Sequence, residues 1–329
     1  MPNIDNIKKY KNIHMIGIGG VSMSGIAAIL TNWGFKVTGS DCANSESVKL
    51  LQEKGIKVTI GHNLEDVSNS DVVVYSAAIK ETDPEMLEAK KLNIPTIERA
   101  DFLGKITRCY KDTICVSGTH GKTTTTSMIS HILLAGEMDP TISVGGILKA
   151  IGGNIRVGNS EIFVTEACEY TNSFLSFFPK ISVILNIDED HLDFFKDLED
   201  IRNSFHRFAK LLPKDGTLVI NGDIDRLDEI TGDLDCKIVT YGTNPSATYH
   251  AANVTHDELG EASFDLVKNG EFVDRISLSV SGDHNVSNAL AALAVADLLD
   301  VNVSVAKKGL KEFHGTDRRF EYKGEPNGV

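Results

Sequence analysis

The stretch GTHGKTTTT at Gly118 to Thr126 directly follows the apolar run TICVS at Thr113 to Ser117. A glycine-rich turn between a strand and a helix aims successive backbone N–H groups at one point, and the helix start adds partial positive charge, so phosphate is the natural guest. Gly118 and Gly121 permit the turn, with Thr119, His120 and Thr124 lining it. Lys122 can neutralise β- and γ-phosphate oxygens, and the Thr123 hydroxyl can ligate Mg²⁺. The full pattern G-x-x-x-x-G-K-[ST] is not met, because Val116 stands at its first glycine; only the shorter G-x-x-G-K-T is present. The blander reading is a helix start with a solvated lysine. The preceding strand pattern and four consecutive threonines favour nucleotide binding.

Phosphoryl transfer needs Mg²⁺, which takes hard oxygen ligands from neighbouring strand ends. Glu166, ending EIFVTEA, is placed to supply one, and His191 in NIDEDHLD, just past ISVILNI, is a candidate contact to a second ion. Each taken alone reads equally as a turn residue, and Asp188, Glu189, Asp190 and Asp193 read as a solvated acidic turn. A second glycine loop, IGIGGVSMSG, carries Gly17, Gly19, Gly20, Val21 and Ser22. It begins like a dinucleotide fingerprint, but Ser22 occupies the third glycine's place. Asp41 follows the second strand at the distance where such folds contact a ribose or base. Ser76 and Ala77, after DVVVY, are candidates for the same crevice. The chemistry supported here is diphosphate binding at a helix start, giving two phosphate sites, one in each half of the chain.

These groups need a scaffold, and the sequence supplies alternating short apolar runs and helical segments. NIHMIGI, a small-residue helix from Val21 to Trp33, FKVTGS, a helix from Ser45 to Lys54, KVTI, DVVVYSA, a helix from Pro84 to Leu92 and IPTIE make up the first series. This alternation predicts an α/β fold: a Rossmann-like first domain over residues 1–105. A second series opens with DTICVS and a helix over Lys122 to Ala135. It continues through strands at EIFVTEA and ISVILNI, a helix over Leu198 to Leu211 and a strand at GTLVING. Residues Ala247 to Ser281 read as an antiparallel addition, and an alanine-rich helix over Asn285 to Leu299 as the last. The expected second domain, residues 106–322, is therefore a P-loop-type domain with a mostly parallel sheet.

With 329 residues, two domains are the prior expectation. A net charge of −13 argues against a general nucleic-acid or anionic-membrane surface. Five cysteines without a C-x-x-C spacing fit reduced thiols, and no apolar run approaches the ~20 residues of a membrane span, so a cytoplasmic location is expected.

Taken in order, HMIGIGGVSMSGIA, GTHGKTTTT, TEACEY, NIDEDHLD, GDHNVSNALAA and GTDRRFEYKG resemble the Mur ligases, closest to the L-alanine-adding members. The resemblance covers the whole chain. It implies an ATP-dependent amide-forming enzyme of peptidoglycan synthesis, with UDP-N-acetylmuramate bound by the first domain and ATP by the second. The lactyl carboxylate would take the γ-phosphate of ATP, and the amine of L-alanine would displace phosphate from the acyl phosphate. By motif match, Lys122 would stabilise the transferred phosphoryl group, Thr123 and Glu166 would hold one Mg²⁺ and His191 would help hold the other. Asn285 and Asn288 would lie near adenine, and Arg319 or Arg318 near the ATP phosphates or ribose. The acidic motif usually reads EADESD and here reads EACEYT, so Glu166 is kept while Cys168 and Tyr170 replace polar neighbours. His206 stands about where some relatives carry a carbamylated lysine, and none is expected here. The family's third domain would follow RRFEYKG. Residues 323–329 read as the start of a linker to it, and a chain of the first two domains is expected to bind its nucleotides but ligate weakly or not at all. The rival readings are a ligase that attaches a recycled peptide to the same sugar nucleotide, an NAD-dependent oxidoreductase suggested by Gly17 and Gly19, and a non-catalytic nucleotide-binding module. Oligomeric state is not legible.

Overall fold

A computed structural model describes residues 2–315. The N-terminal sheet contains β1 (Asn12–Ile16), β2 (Lys36–Asp41), β3 (Lys57–Ile60), β4 (Val72–Tyr75) and β5 (Thr96–Glu98), all parallel, in the order β3-β2-β1-β4-β5. Its central strands read NIHMI and VVVY, nearly continuous apolar runs, as required of strands covered on both faces. Between them run α1 (Val21–Asn32), α2 (Glu46–Glu53), α3 (Leu64–Ser68) and α4 (Pro84–Lys91). Ser45, Asn63 and Asp83 cap the last three by accepting from amides of the first turn. The strand order reverses at β1, so a crevice opens beyond the carboxyl ends of β1 and its neighbours.

Helix α5 (Arg99–Thr107) leads to the second sheet and runs through Lys105, where the sequence reading ended the first domain. It packs so closely that a Cβ on Gly104 would lie 2.0 Å from the Ser176 carbonyl oxygen. The second sheet holds β6 (Asp112–Ser117), β7 (Thr141–Leu148), β8 (Gly153–Arg156), β9 (Ile162–Glu166), β10 (Ile181–Ile184), β11 (Thr217–Asn221), β12 (Lys237–Gly242), β13 (Tyr249–His256), β14 (Glu261–Lys268) and β15 (Glu271–Ser281). Their order is β15-β14-β13-β12-β11-β10-β6-β9-β7-β8, parallel in the centre and antiparallel at both edges. α6 (Lys122–Ala135), α9 (His284–Leu298) and α10 (Val303–Lys311) bury a core against one face. α7 (Leu198–Ala209) and the short α8 (Asp228–Thr231) belong to a second core that is continuous with the first sheet. Tyr110 joins the two, its ring 5.6 Å from Trp33 and 5.0 Å from Phe163.

The expected α/β architecture is present, and α6 spans the residues read from the sequence. Several elements were not anticipated, the short α3 and α8 among them. β7 and β8 are glycine-rich (TISVGGIL, GNIR) and lack a strand-like apolar run. β12, half-exposed and parallel to both its neighbours, and the nine-residue α5 were not read as elements. α10 carries Gly309 inside it, where a Cβ would stand 2.7 Å from Ile132 Cα, so the glycine marks close helix packing rather than a helix end. No helix among the described residues is long and apolar enough to cross a membrane. Arg318, Arg319 and residues 323–329 lie outside the described residues.

Candidate active site

β6 ends at Ser117 and α6 begins at Lys122, and the loop between them turns on Gly118 (φ +144) and Gly121 (φ +85). No other residue type adopts the first conformation readily, and Gly121 leaves no room for a side chain: a Cβ there would lie 2.7 Å from Asn288 Oδ1. The first helical hydrogen bond runs from the Thr125 amide to the Gly121 carbonyl at 2.9 Å. The amides of Gly121, Lys122, Thr123 and Thr124 therefore have no intrahelical acceptor, and Gly121 provides no side-chain cap. That is a fit for a polyphosphate.

The segment after β10 holds the loop in shape. The His120 amide donates to Asn186 Oδ1 at 2.7 Å, and Asn186 Nδ2 donates back to the His120 carbonyl at 3.0 Å. The Thr119 hydroxyl accepts from the Asp188 amide at 2.9 Å. Asn186 and Asp188 were not singled out as clamps, because only the parallel pairing of β6 with β10 brings the two segments side by side.

β9 pairs with β6 on the other side and delivers Glu166. Glu166 Oε1 accepts from the Gly145 amide at 2.5 Å, and a Cβ on Gly145 would lie 2.9 Å from Oε2, so a bare backbone at β7 seats this carboxylate. Three residues on, Glu169 is buried and faces two of the expected site residues. It accepts from Lys122 Nζ at 2.9 Å and 3.1 Å, and its Oε1 lies 3.8 Å from His191 Nε2. Lys122 Nζ also donates to the Gly118 carbonyl at 2.5 Å and the Thr119 carbonyl at 3.2 Å. Sequence reasoning passed over Glu169, although its place three residues after Glu166 in EACE was the available signal.

His191 adopts φ +52, a left-handed conformation rarely held without support from its surroundings. Its amide donates to Asp190 Oδ1 at 2.7 Å and its carbonyl accepts from the Phe194 and Phe195 amides at 2.9 Å, while the Tyr170 ring packs 4.6 Å from the imidazole and the Tyr170 hydroxyl donates to Asp193 at 2.7 Å. The bond to the Asp193 carboxylate pushes the phenol's pKa up. Tyr170, which departs from the usual acidic motif, thus contributes to placing the histidine.

Asn285 and Asn288, in the first two turns of α9, are buried, and Asn288 closes over the loop. Thr125 Oγ1 donates to Asn288 Oδ1 at 3.2 Å, Asn288 Nδ2 to Asn285 Oδ1 at 3.1 Å and Asn285 Nδ2 to the Ser281 carbonyl at 2.8 Å.

The N-terminal crevice forms a cleft of about 420 Å³ lined by Gly17, Gly19, Gly20, Asp41 and Ser76, with Ala78 and Ile79 rather than Ala77 completing that wall. Asp41 Oδ2 accepts from the Gly19 amide at 2.8 Å, which fixes the turn. Ser22, at the start of α1, lies 3.4 Å from an Arg99 nitrogen, and the Val21 carbonyl accepts from Asn154 Nδ2 at 3.1 Å, so this helix start meets residues of α5 and the second sheet. His62 and Asp83 also line the cleft. Beneath them the buried Glu85 accepts from Ser40 Oγ at 2.5 Å, the Asn63 amide at 2.7 Å and His14 Nε2 at 3.3 Å. Burial opposes its charge, but these bonds, led by those from His14 and Ser40, hold the carboxyl below its ordinary pKa.

Residues 12–111 match the family described as Mur ligase family, catalytic domain, and residues 116–296 match the Mur ligase middle domain. The chain belongs to the Mur ligase family. It is 53% identical to the UDP-N-acetylmuramate--L-alanine ligase of Lachnoclostridium phytofermentans, over 97% of this chain and 70% of the relative. Against the enzyme of the same name from Clostridium perfringens it is 49% identical, again over 97% of this chain and 70% of the relative. Among solved structures, the fold matches UDP-N-acetylmuramate:L-alanyl-gamma-D-glutamyl-meso-diaminopimelate ligase from Neisseria meningitides with a TM-score of 0.84 at 29% identity, covering 94% of this chain and 99% of that one. It also matches UDP-N-acetylmuramate-alanine ligase MurC from Thermotoga maritima with a TM-score of 0.81 at 30% identity, covering 96% and 71%.

Proposed function

We propose that this Mur ligase joins L-alanine to the lactyl carboxylate of UDP-N-acetylmuramate in the cytoplasm, at the expense of ATP and through an acyl phosphate. The observation that carries this reading is the pair of phosphate-type cradles, one at each sheet, with a lysine at the helix start of the second gathered against Glu169 and His191. A dehydrogenase would use the first cradle alone and would leave the Gly118–Thr124 loop without a task.

In this reading the N-terminal cleft takes the uridine diphosphate, with Gly17, Gly19 and Gly20 bringing bare backbone to the phosphates and Asp41 near the ribose. The amides of Gly121 to Thr124 hold the ATP phosphates, and Lys122 neutralises the transferred group. Thr123, Glu166 and His191 are the residues suited to hold Mg²⁺, which when bound offsets charge on the phosphates. A free carboxylate is a poor electrophile, and its phosphorylation provides the leaving group that the amine displaces. The protein's contribution is positioning and charge neutralisation. L-alanine is favoured over a recycled peptide as the acceptor by the 49–53% identity to relatives named for L-alanine, while the solved alanine and peptide ligases match the chain alike, at 30% and 29% identity.

Calorimetric titration with ATP·Mg²⁺ and with UDP-N-acetylmuramate, each separately and then in the presence of the other, tests the reading. Two independent sites are expected. A single shared site, or NAD binding tighter than the sugar nucleotide, refutes it.

A further inference from the structure

The Lys122 ammonium has three N–H donors, and four acceptors surround it: the Gly118 and Thr119 carbonyls and both oxygens of Glu169, all within 3.2 Å. None of its donors is left for a phosphate. Its side chain is 16% exposed and that of Glu169 only 3%, so the pair is shielded from water and from screening salt. Glu169 is held at the far side as well, with His191 Nε2 at 3.8 Å from Oε1. A lysine meant to meet an incoming polyphosphate is thus fully engaged before the polyphosphate arrives.

We propose that Glu169 is a positioning residue that parks Lys122 against the Gly118–Gly121 loop in the nucleotide-free site, so that ATP binds by taking Lys122 away from it. The parking keeps the loop's carbonyls and the buried carboxylate satisfied while the site is waiting. It also sets the cost of entry: phosphate oxygens must replace both Glu169 oxygens as partners of the ammonium. Once Lys122 has moved, the carboxylate is left facing His191 Nε2. This inference rests on the reading of the loop as the ATP site.

The test is ATP binding measured by calorimetry with EDTA present, so that effects on metal ligation do not enter. Glu169→Gln keeps the shape and removes the charge, and is expected to bind metal-free ATP about tenfold tighter than the parent chain. Glu169→Asp, which keeps the charge but draws it back by one methylene, is expected to show a smaller gain in the same direction. A side chain that merely supported the fold would give weaker binding in both variants. In a Lys122→Ala background the gain from Glu169→Gln should vanish, because the effect passes through the lysine. Unchanged or weaker binding in E169Q and E169D, or a gain that persists without Lys122, overturns the proposal. If the parent chain binds no ATP at all, the reading of the loop as an ATP site fails instead.

Discussion

Gly121→Ala tests how the loop and α9 constrain one another. The native φ of +85° costs a residue with a Cβ about 1–2 kcal/mol. The new methyl would stand 2.7 Å from Asn288 Oδ1, closer than any real contact, and Asn288 is only 6% exposed. Asn288 has to turn away, which breaks the bond from Thr125 Oγ1 or the one to Asn285 Oδ1. Leaving one such buried group unpaired costs a further ~1–3 kcal/mol. The expected loss is therefore about 2–5 kcal/mol, read as a lower urea midpoint with an unchanged slope. If the loop shifts to relieve the clash, the phosphate amides move with it, and ATP affinity should fall by about tenfold or more. Repeating the substitution in an Asn288→Ala background removes the collision and should leave only the backbone part of the cost. An unchanged midpoint with ATP affinity within about twofold of the parent would refute this account of the loop.

Gly19→Ala should act on the other cleft alone. Its Cβ would lie 2.7 Å from Val48 Cγ2 and 2.9 Å from Asp41 Oδ2, so UDP-N-acetylmuramate binding should weaken about tenfold or more while ATP binding stays as it was; calorimetry with each ligand checks both halves. Glu85→Gln addresses acid sensitivity. The carboxyl's folded pKa lies below its ordinary 4.5, so its stabilisation is complete above that value and is lost as pH falls through the folded one. The urea midpoint of the parent should exceed that of the variant at about pH 7, and the gap should narrow below about pH 4.5. A gap that stays constant across that range contradicts the assignment.

The parts of this molecule legible in its sequence are those where local chemistry and tertiary demand agree. GTHGKTTTT needs glycine at two positive-φ positions and donors at a helix start, and it encodes both within nine residues, so loop, helix and expected ligand class could be read together. Gly309 and the β7–β8 hairpin show the opposite case. There glycine answers to a neighbour distant in sequence, such as Ile132 across the α6–α10 contact or the Glu166 carboxylate over Gly145, and read locally it looks like a break. Glu169 was missed for a related reason. A carboxylate in an acidic, cysteine- and tyrosine-bearing stretch looks solvated until β9 and β6 lie side by side, and that pairing turns its charge toward Lys122. Asn288 likewise reads as a helix-start residue, yet it is the wall that makes Gly121 obligatory. Sequence motifs thus mark the groups that would meet the ligand, while the groups that restrain them before it arrives come from strand order, and strand order is what local spacing leaves open.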